Sequence, residues 1–155
     1  MLEDRGFRSK AALARAETSS PGGAAEESAL RAVLASYGAA LNAGSTDAAL
    51  ALYAEDGVFM PPYSESAVGK AAVGKAYDAV LRELKFDVKF TIAELVVIAP
   101  TWAYARTRSA GVTGHASTGR TSAEANQELF LFNKSGDGEW RIARYSFSPT
   151  NPPNA

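Results

Sequence analysis

Leu84-Lys85-Phe86-Asp87-Val88-Lys89-Phe90-Thr91-Ile92 is the stretch on which the fold turns. Upstream of it the apolar residues return every three or four positions. From Phe86 they return every second position, with Phe86, Val88, Phe90 and Ile92 alternating with Asp87, Lys89 and Thr91. A helix repeats every 3.6 residues and a strand alternates its faces with period two. The chain therefore passes here from helices to a half-buried sheet.

Before the switch, Leu30, Val33, Leu34, Tyr37 and Leu41 share one helical face. Gly44 ends that helix, because glycine reaches the left-handed conformation without a Cβ clash. Ser45 or Thr46 caps a second helix, and Asp47 favours its positive end. This helix carries Leu50, Leu52 and Tyr53 to a turn at Glu55-Asp56-Gly57. Val58-Phe59-Met60 reads as a short strand broken by Pro61-Pro62. A third helix starts near Lys70, with Val73, Tyr77, Val80, Leu81 and Leu84 on one side.

After the switch, the first long strand runs through Leu95-Val96-Val97-Ile98 to Pro100. Three more follow, Trp102 to Val112, Thr121 to Phe132 and Trp140 to Phe147, with turn signals at Gly114–Gly119 and Ser135-Gly136-Asp137-Gly138. The expectation is an α+β domain, three N-terminal helices packed on an antiparallel sheet. Helices cover one sheet face only. The open face is expected to meet a second copy, giving a homodimer.

The chain has 155 residues, 46% hydrophobic and 21% charged, with a formal net charge of -1. That length suits one domain. Residues 1–24 read as a flexible extension ending in Ser19-Ser20-Pro21-Gly22-Gly23, residues 25–150 as the domain, and 151–155 as a short tail. The extension lacks an apolar h-region, so a cytoplasmic protein is expected. No apolar run approaches the roughly 20 residues of a membrane span. Without a basic excess, neither nucleic acid nor a membrane surface is an expected partner. With no cysteine and one histidine, a thiolate site or Cys nucleophile is excluded, and no metal or cofactor is expected. His115 lies in a Gly/Ser/Thr run and reads as an exposed loop residue.

Ser36-Tyr37-Gly38-Ala39-Ala40-Leu41-Asn42-Ala43-Gly44 resembles the first-helix motif of bacterial ketosteroid isomerases. Leu52-Tyr53-Ala54-Glu55-Asp56-Gly57-Val58-Phe59-Met60-Pro61-Pro62, followed by Gly69-Lys70, resembles the SnoaL-like branch of the NTF2-like superfamily. Asn126-Gln127-Glu128-Leu129-Phe130 and Trp140-Arg141-Ile142-Ala143-Arg144-Tyr145 carry the same likeness. The resemblance implies a cystatin-like (NTF2-like) cone with a curved sheet. It also implies a small protein linked to polyketide or enediyne biosynthesis, often of unassigned activity. One scaffold hosts unrelated chemistries, so it implies a fold more firmly than a reaction.

Carried over residue by residue, the isomerase's oxyanion-stabilising tyrosine falls on Tyr37 and its supporting tyrosine on Tyr77. Its oxyanion-stabilising acid falls on Glu128. Its catalytic base falls on Pro61, and proline cannot move a proton; Glu65, in the same loop, is the nearest substitute. Tyr37, Tyr77, Glu128 and Glu65 are thus the catalytic candidates. Each tyrosine also reads as a core residue whose hydroxyl finds a local acceptor.

Glu128 shares a strand face with Glu124, Asn126, Phe130 and Phe132. It reads either as a protonated buried acid or as the partner of Arg106 or Arg108. The ion pair is preferred, since two arginines on one face with Trp102 and Tyr104 are hard to bury otherwise. On this reading that bulky face is a pocket wall. The expected pocket comprises Tyr37, Tyr53, Met60, Tyr77, Arg106, Arg108, Asn126, Glu128, Phe130, Tyr145 and Phe147. It would take a small, partly apolar ligand, for isomerisation, cyclisation or simple holding. A non-catalytic association module is the main alternative, and a true ketosteroid isomerase the weaker one. The residues leave open whether the protein is an enzyme.

Overall fold

The computed structural model describes residues 21–151. Helix α1 spans Pro21–Ala43 and buries Leu30, Leu34, Tyr37, Ala40 and Leu41 along one side. It reaches back to Pro21, so the last residues of the expected extension are helical; residues 1–20 lie outside those described. Gly44 closes α1 at φ 66°, and the N–H groups of Gly44 and Ser45 return to the carbonyls of Leu41 and Ala40. Ser45 then caps helix α2, Thr46–Leu50, its hydroxyl accepting from Ala48 N–H at 3.1 Å.

Here the structure departs from the periodicity. Tyr53 does not end α2; it opens strand β1, Tyr53–Met60. The cause is distant in sequence, because Ile142 N–H donates to the Leu52 carbonyl and Tyr53 lies opposite Ile142. Glu55-Asp56-Gly57 is correspondingly no turn between elements. It sits where the register shifts, Tyr53 opposing Ile142 and Val58 opposing Arg144, so extra residues bulge out of β1.

The two-residue strand β2, Ala67–Val68, precedes helix α3, Lys70–Glu83. Four long strands follow: β3 Leu84–Ala99, β4 Trp102–His115, β5 Thr121–Lys134 and β6 Trp140–Pro149. They form one curved six-stranded sheet in the order β2-β1-β6-β5-β4-β3. All neighbours are antiparallel except β1 and β6, which run parallel. The expected all-antiparallel sheet thus carries one parallel pair, because β1 and β6 are joined through the rest of the domain rather than by a hairpin. His115 is the last residue of β4 rather than a loop residue. It is half-buried, and its Nε2 is 2.8 Å from Ser122 Oγ.

The three helices lie on one face of the sheet, and the core sits between the layers. Two polar contacts pin them. Asn42, from the end of α1, donates its amide to the Val88 carbonyl at 2.8 Å and accepts Val88 N–H at 3.0 Å, pairing with the backbone of edge strand β3. At the other end of α1, Glu26 accepts from Lys134 and from the Trp140 indole. Among the described residues no helix is long and apolar enough to cross a membrane.

Candidate functional site

Between the concave face of the sheet and the helices lies a cavity of about 330 Å³. Tyr37 from α1 and Tyr77 from α3 line it together with Phe59 and Tyr145. Phe86, Val88 and Phe90 of β3 form an apolar wall, and Pro61, Pro62, Tyr63 and Ser64 contribute the loop side. Ser109, Glu124, Asn126 and Glu128 make the polar wall.

The tyrosines are linked. Tyr77 Oη lies 2.7 Å from Tyr37 Oη and 2.7 Å from Tyr53 Oη, so one buried hydroxyl joins two others. Burial raises Tyr37 well above the ordinary tyrosine value, and its bonds to Tyr77 and Tyr145 only partly offset this. Burial likewise raises Tyr53, Tyr77 and Tyr145. These hydroxyls keep their protons at neutral pH, and those of Tyr37, Tyr77 and Tyr145, on the cavity lining, can donate to a ligand oxygen. None is a nucleophile.

Glu128 is 4% exposed, and its neighbours are not arginines. Thr107 Oγ1 donates to Glu128 Oε1 at 2.6 Å and Ser109 Oγ donates to Oε2 at 2.7 Å. Burial raises the carboxyl above its ordinary range; the two hydroxyl bonds lower it again, and the charge of Glu124 adds to the rise. The preferred ion pair is therefore corrected. Thr107 stands directly opposite Glu128, whereas Arg106 and Arg108 stand opposite Leu129 and Gln127, with the other side-chain parity. Arg106 instead meets Glu94 at 3.2 Å on the outer face.

That parity reverses the expected pocket wall. Ala103, Ala105, Thr107 and Ser109, the small-residue face of β4, are buried and face inward. Arg106 and Arg108 line a shallow outer depression instead. Of the other expected pocket residues, Tyr37, Tyr77, Asn126, Glu128, Tyr145 and Phe147 line the cavity together. Tyr53 and Phe130 are fully buried in the core without lining it. Met60 is replaced by Phe59, its neighbour on the inward face of β1. Glu65 is exposed and off the lining, while Pro61, where the isomerase base would stand, is on it.

Thr107, Ser109 and Glu124 were not singled out from sequence as site residues. Their signal was the run of hydroxyls at alternate positions among alanines, which meets Glu124, Asn126 and Glu128 only once the β4–β5 register is set. Among the described residues no three His, Cys, Asp or Glu side chains cluster as metal ligands.

The profile of the SnoaL-like domain matches residues 33–145, which hold both helical tyrosines and the polar wall. The chain belongs to the SnoaL-like family. This SnoaL-like chain is 35% identical to a ketosteroid isomerase-like protein from Erwinia carotovora atroseptica, over 81% of this chain and 96% of that one, with a TM-score of 0.78. A conserved protein from Planctomyces limnophilus is 26% identical over 81% and 98%, TM-score 0.70. An uncharacterized protein with a cystatin-like fold from Caulobacter vibrioides, 20% identical over 81% and 90% with a TM-score of 0.67, shares the fold with this SnoaL-like domain. No curated protein matches it.

Proposed function

We propose that this protein binds a small, partly apolar molecule in the cavity and acts on it by proton transfer, as an isomerase- or cyclase-type protein of secondary metabolism in the cytoplasm. The observation that carries this is the pairing, in one apolar cavity, of tyrosine hydroxyls with a desolvated carboxylate. In this reading Tyr37 and Tyr77 donate to an oxygen on which negative charge develops, and Glu128 holds or moves the proton. The steroid isomerase reaction itself is disfavoured, because Pro61 stands where its base would be. Titration with naphthol tests the reading. Wild-type protein binds it, and Tyr37→Phe weakens binding about tenfold. Equal binding by the variant overturns the role of Tyr37, and no binding by either overturns the pocket.

A second reading, an association module, has its own support. Trp102, Val112 and Leu129 are 40%, 46% and 43% exposed, and Leu129 lies on the outer sheet face. The proposed homodimer uses that face and is compatible with either reading. Sedimentation at micromolar concentration is expected to give the dimer mass; a monomer overturns the dimer and the association module together.

A further inference from the structure

The hydrogen-bond inventory of the polar wall narrows what this cavity can hold. Thr107 and Ser109 give their hydroxyl protons to the two oxygens of Glu128. Thr113 gives its proton to Glu124 Oε2 at 3.0 Å. Asn126 Nδ2 donates to Glu124 Oε1 at 2.8 Å and to Ser109 Oγ at 3.4 Å. A hydroxyl carries one proton and an amide nitrogen two, so all the donors of this wall are engaged within it. The carboxyl oxygens of Glu124 and Glu128 and the Asn126 carbonyl are acceptors of these or further protons, so what the wall keeps for a ligand is acceptor capacity.

Charge acts in the same direction. Among the described residues, two carboxylates line the cavity and no Lys, Arg or His does. Arg106 and Arg108 are on the other side of the sheet. At the far end, the four hydroxyls of Tyr37, Tyr53, Tyr77 and Tyr145, joined by three bonds, leave one proton over. That serves one neutral ligand oxygen and does not neutralise an acid group.

We infer that the cavity selects a ligand whose apolar ring body carries a hydrogen-bond-donating head, a hydroxyl or an ammonium, and that it rejects carboxylates. This rests on the small-molecule reading above and names the chemical class within it. A donor head meets the free lone pairs of Glu124, Asn126 and Glu128. A carboxylate head brings acceptors to acceptors in a poorly solvated space and sets a negative charge beside two carboxyl groups with no cation on the lining.

Three probes with one ring system test this by calorimetric titration at neutral pH: naphthalenemethanol, naphthalenemethylamine and naphthoate. The alcohol and the amine are expected to bind at least about tenfold more tightly than the acid. Glu124→Gln, which adds two donors to the wall, is expected to strengthen naphthoate binding, with circular dichroism showing that the variant is folded. The wild-type comparison stands without it. Naphthoate binding as tightly as the alcohol to the wild-type protein overturns the inference and leaves the small-molecule reading intact. A folded Glu124→Gln in which naphthoate stays as weak overturns the assignment of the selectivity to this wall. Failure of all three probes overturns the small-molecule reading and this inference with it.

Discussion

Thr107 and Glu128 face each other across β4 and β5, and the Thr107 hydroxyl donates to the buried carboxylate at 2.6 Å. With Ser109 on the second oxygen, the pair shows how this fold keeps an acid inside: neutral hydroxyls rather than a countercharge. The acid is therefore left with a raised tendency to hold its proton, which an arginine would have removed.

Glu128 should make stability depend on pH. Its folded-state value is raised above the ordinary 4.5, mainly by burial. Such a carboxyl favours the folded state most when pH is below the unfolded value, and that advantage is lost as pH rises through the folded value. Glu128→Gln does not titrate. Urea unfolding from neutral pH down toward about pH 4.5 should therefore show the wild type gaining on the variant as pH falls. A constant difference would count against a raised Glu128. Arg106→Ala is the control; its partner Glu94 is on the surface, so the change should stay within about 1 kcal/mol and leave the pH dependence unaltered.

Tyr77 bonds to both Tyr37 and Tyr53, whereas Tyr53, at the end of the hydroxyl chain, bonds to Tyr77. Tyr77→Phe breaks both bonds; Tyr37 keeps its bond to Tyr145, whereas Tyr53 loses its partner, at about 1–3 kcal/mol for a buried group left unsatisfied. Tyr53→Phe keeps the Tyr37–Tyr77 bond and should cost about 1 kcal/mol. The order Tyr77→Phe worse than Tyr53→Phe is the checkable outcome in chemical denaturation.

Gly111 lies opposite Val88, where β4 passes close to β3. A Cβ there would stand 2.1 Å from the Asp87 carbonyl oxygen and 2.8 Å from Val88 Cα, both backbone atoms that cannot swing away. Gly111→Ala should cost about 3 kcal/mol or more. Gly114→Ala, whose nearest neighbours would be 3.7 Å away, should be mild. Equal melting temperatures for the two variants would argue against this register.

Asn42 substitutes for a missing strand at the edge of the sheet, satisfying both backbone groups of Val88. Asn42→Ala should destabilise by about 1–3 kcal/mol. Asn42→Asp keeps the acceptor for Val88 N–H and loses the donor, so it should fall between. Faster amide exchange at Val88 in the alanine variant is the local signature.

Periodicity alone marked the α1 face, the α3 face and the long strands, because those patterns are written in neighbouring residues. Alternation also put Glu124, Asn126, Glu128, Phe130 and Phe132 on one face of β5, as they stand in the structure. It could not say which face of β4 turns inward, since Ala103-Ala105-Thr107-Ser109 and Trp102-Tyr104-Arg106-Arg108 alternate equally well. The bulkier face looked like a cavity wall. The structure turns the small residues in, where Thr107 and Ser109 bond to the buried Glu128 carboxyl, and leaves Arg106 exposed beside Glu94 on the other side.

What the sequence determined by itself is the α+β succession, the SnoaL-like likeness and the two helical tyrosines, all set by local spacing and short strings. Tertiary structure alone decided that Tyr53 leaves the helix for a strand, that Glu128 bonds to Thr107 and Ser109 rather than to arginine, and that Glu124 joins the cavity. Each of those depends on the pairing of residues distant in the chain. A shift of one residue in a strand's register carries every side chain to the opposite face, so local spacing cannot fix them.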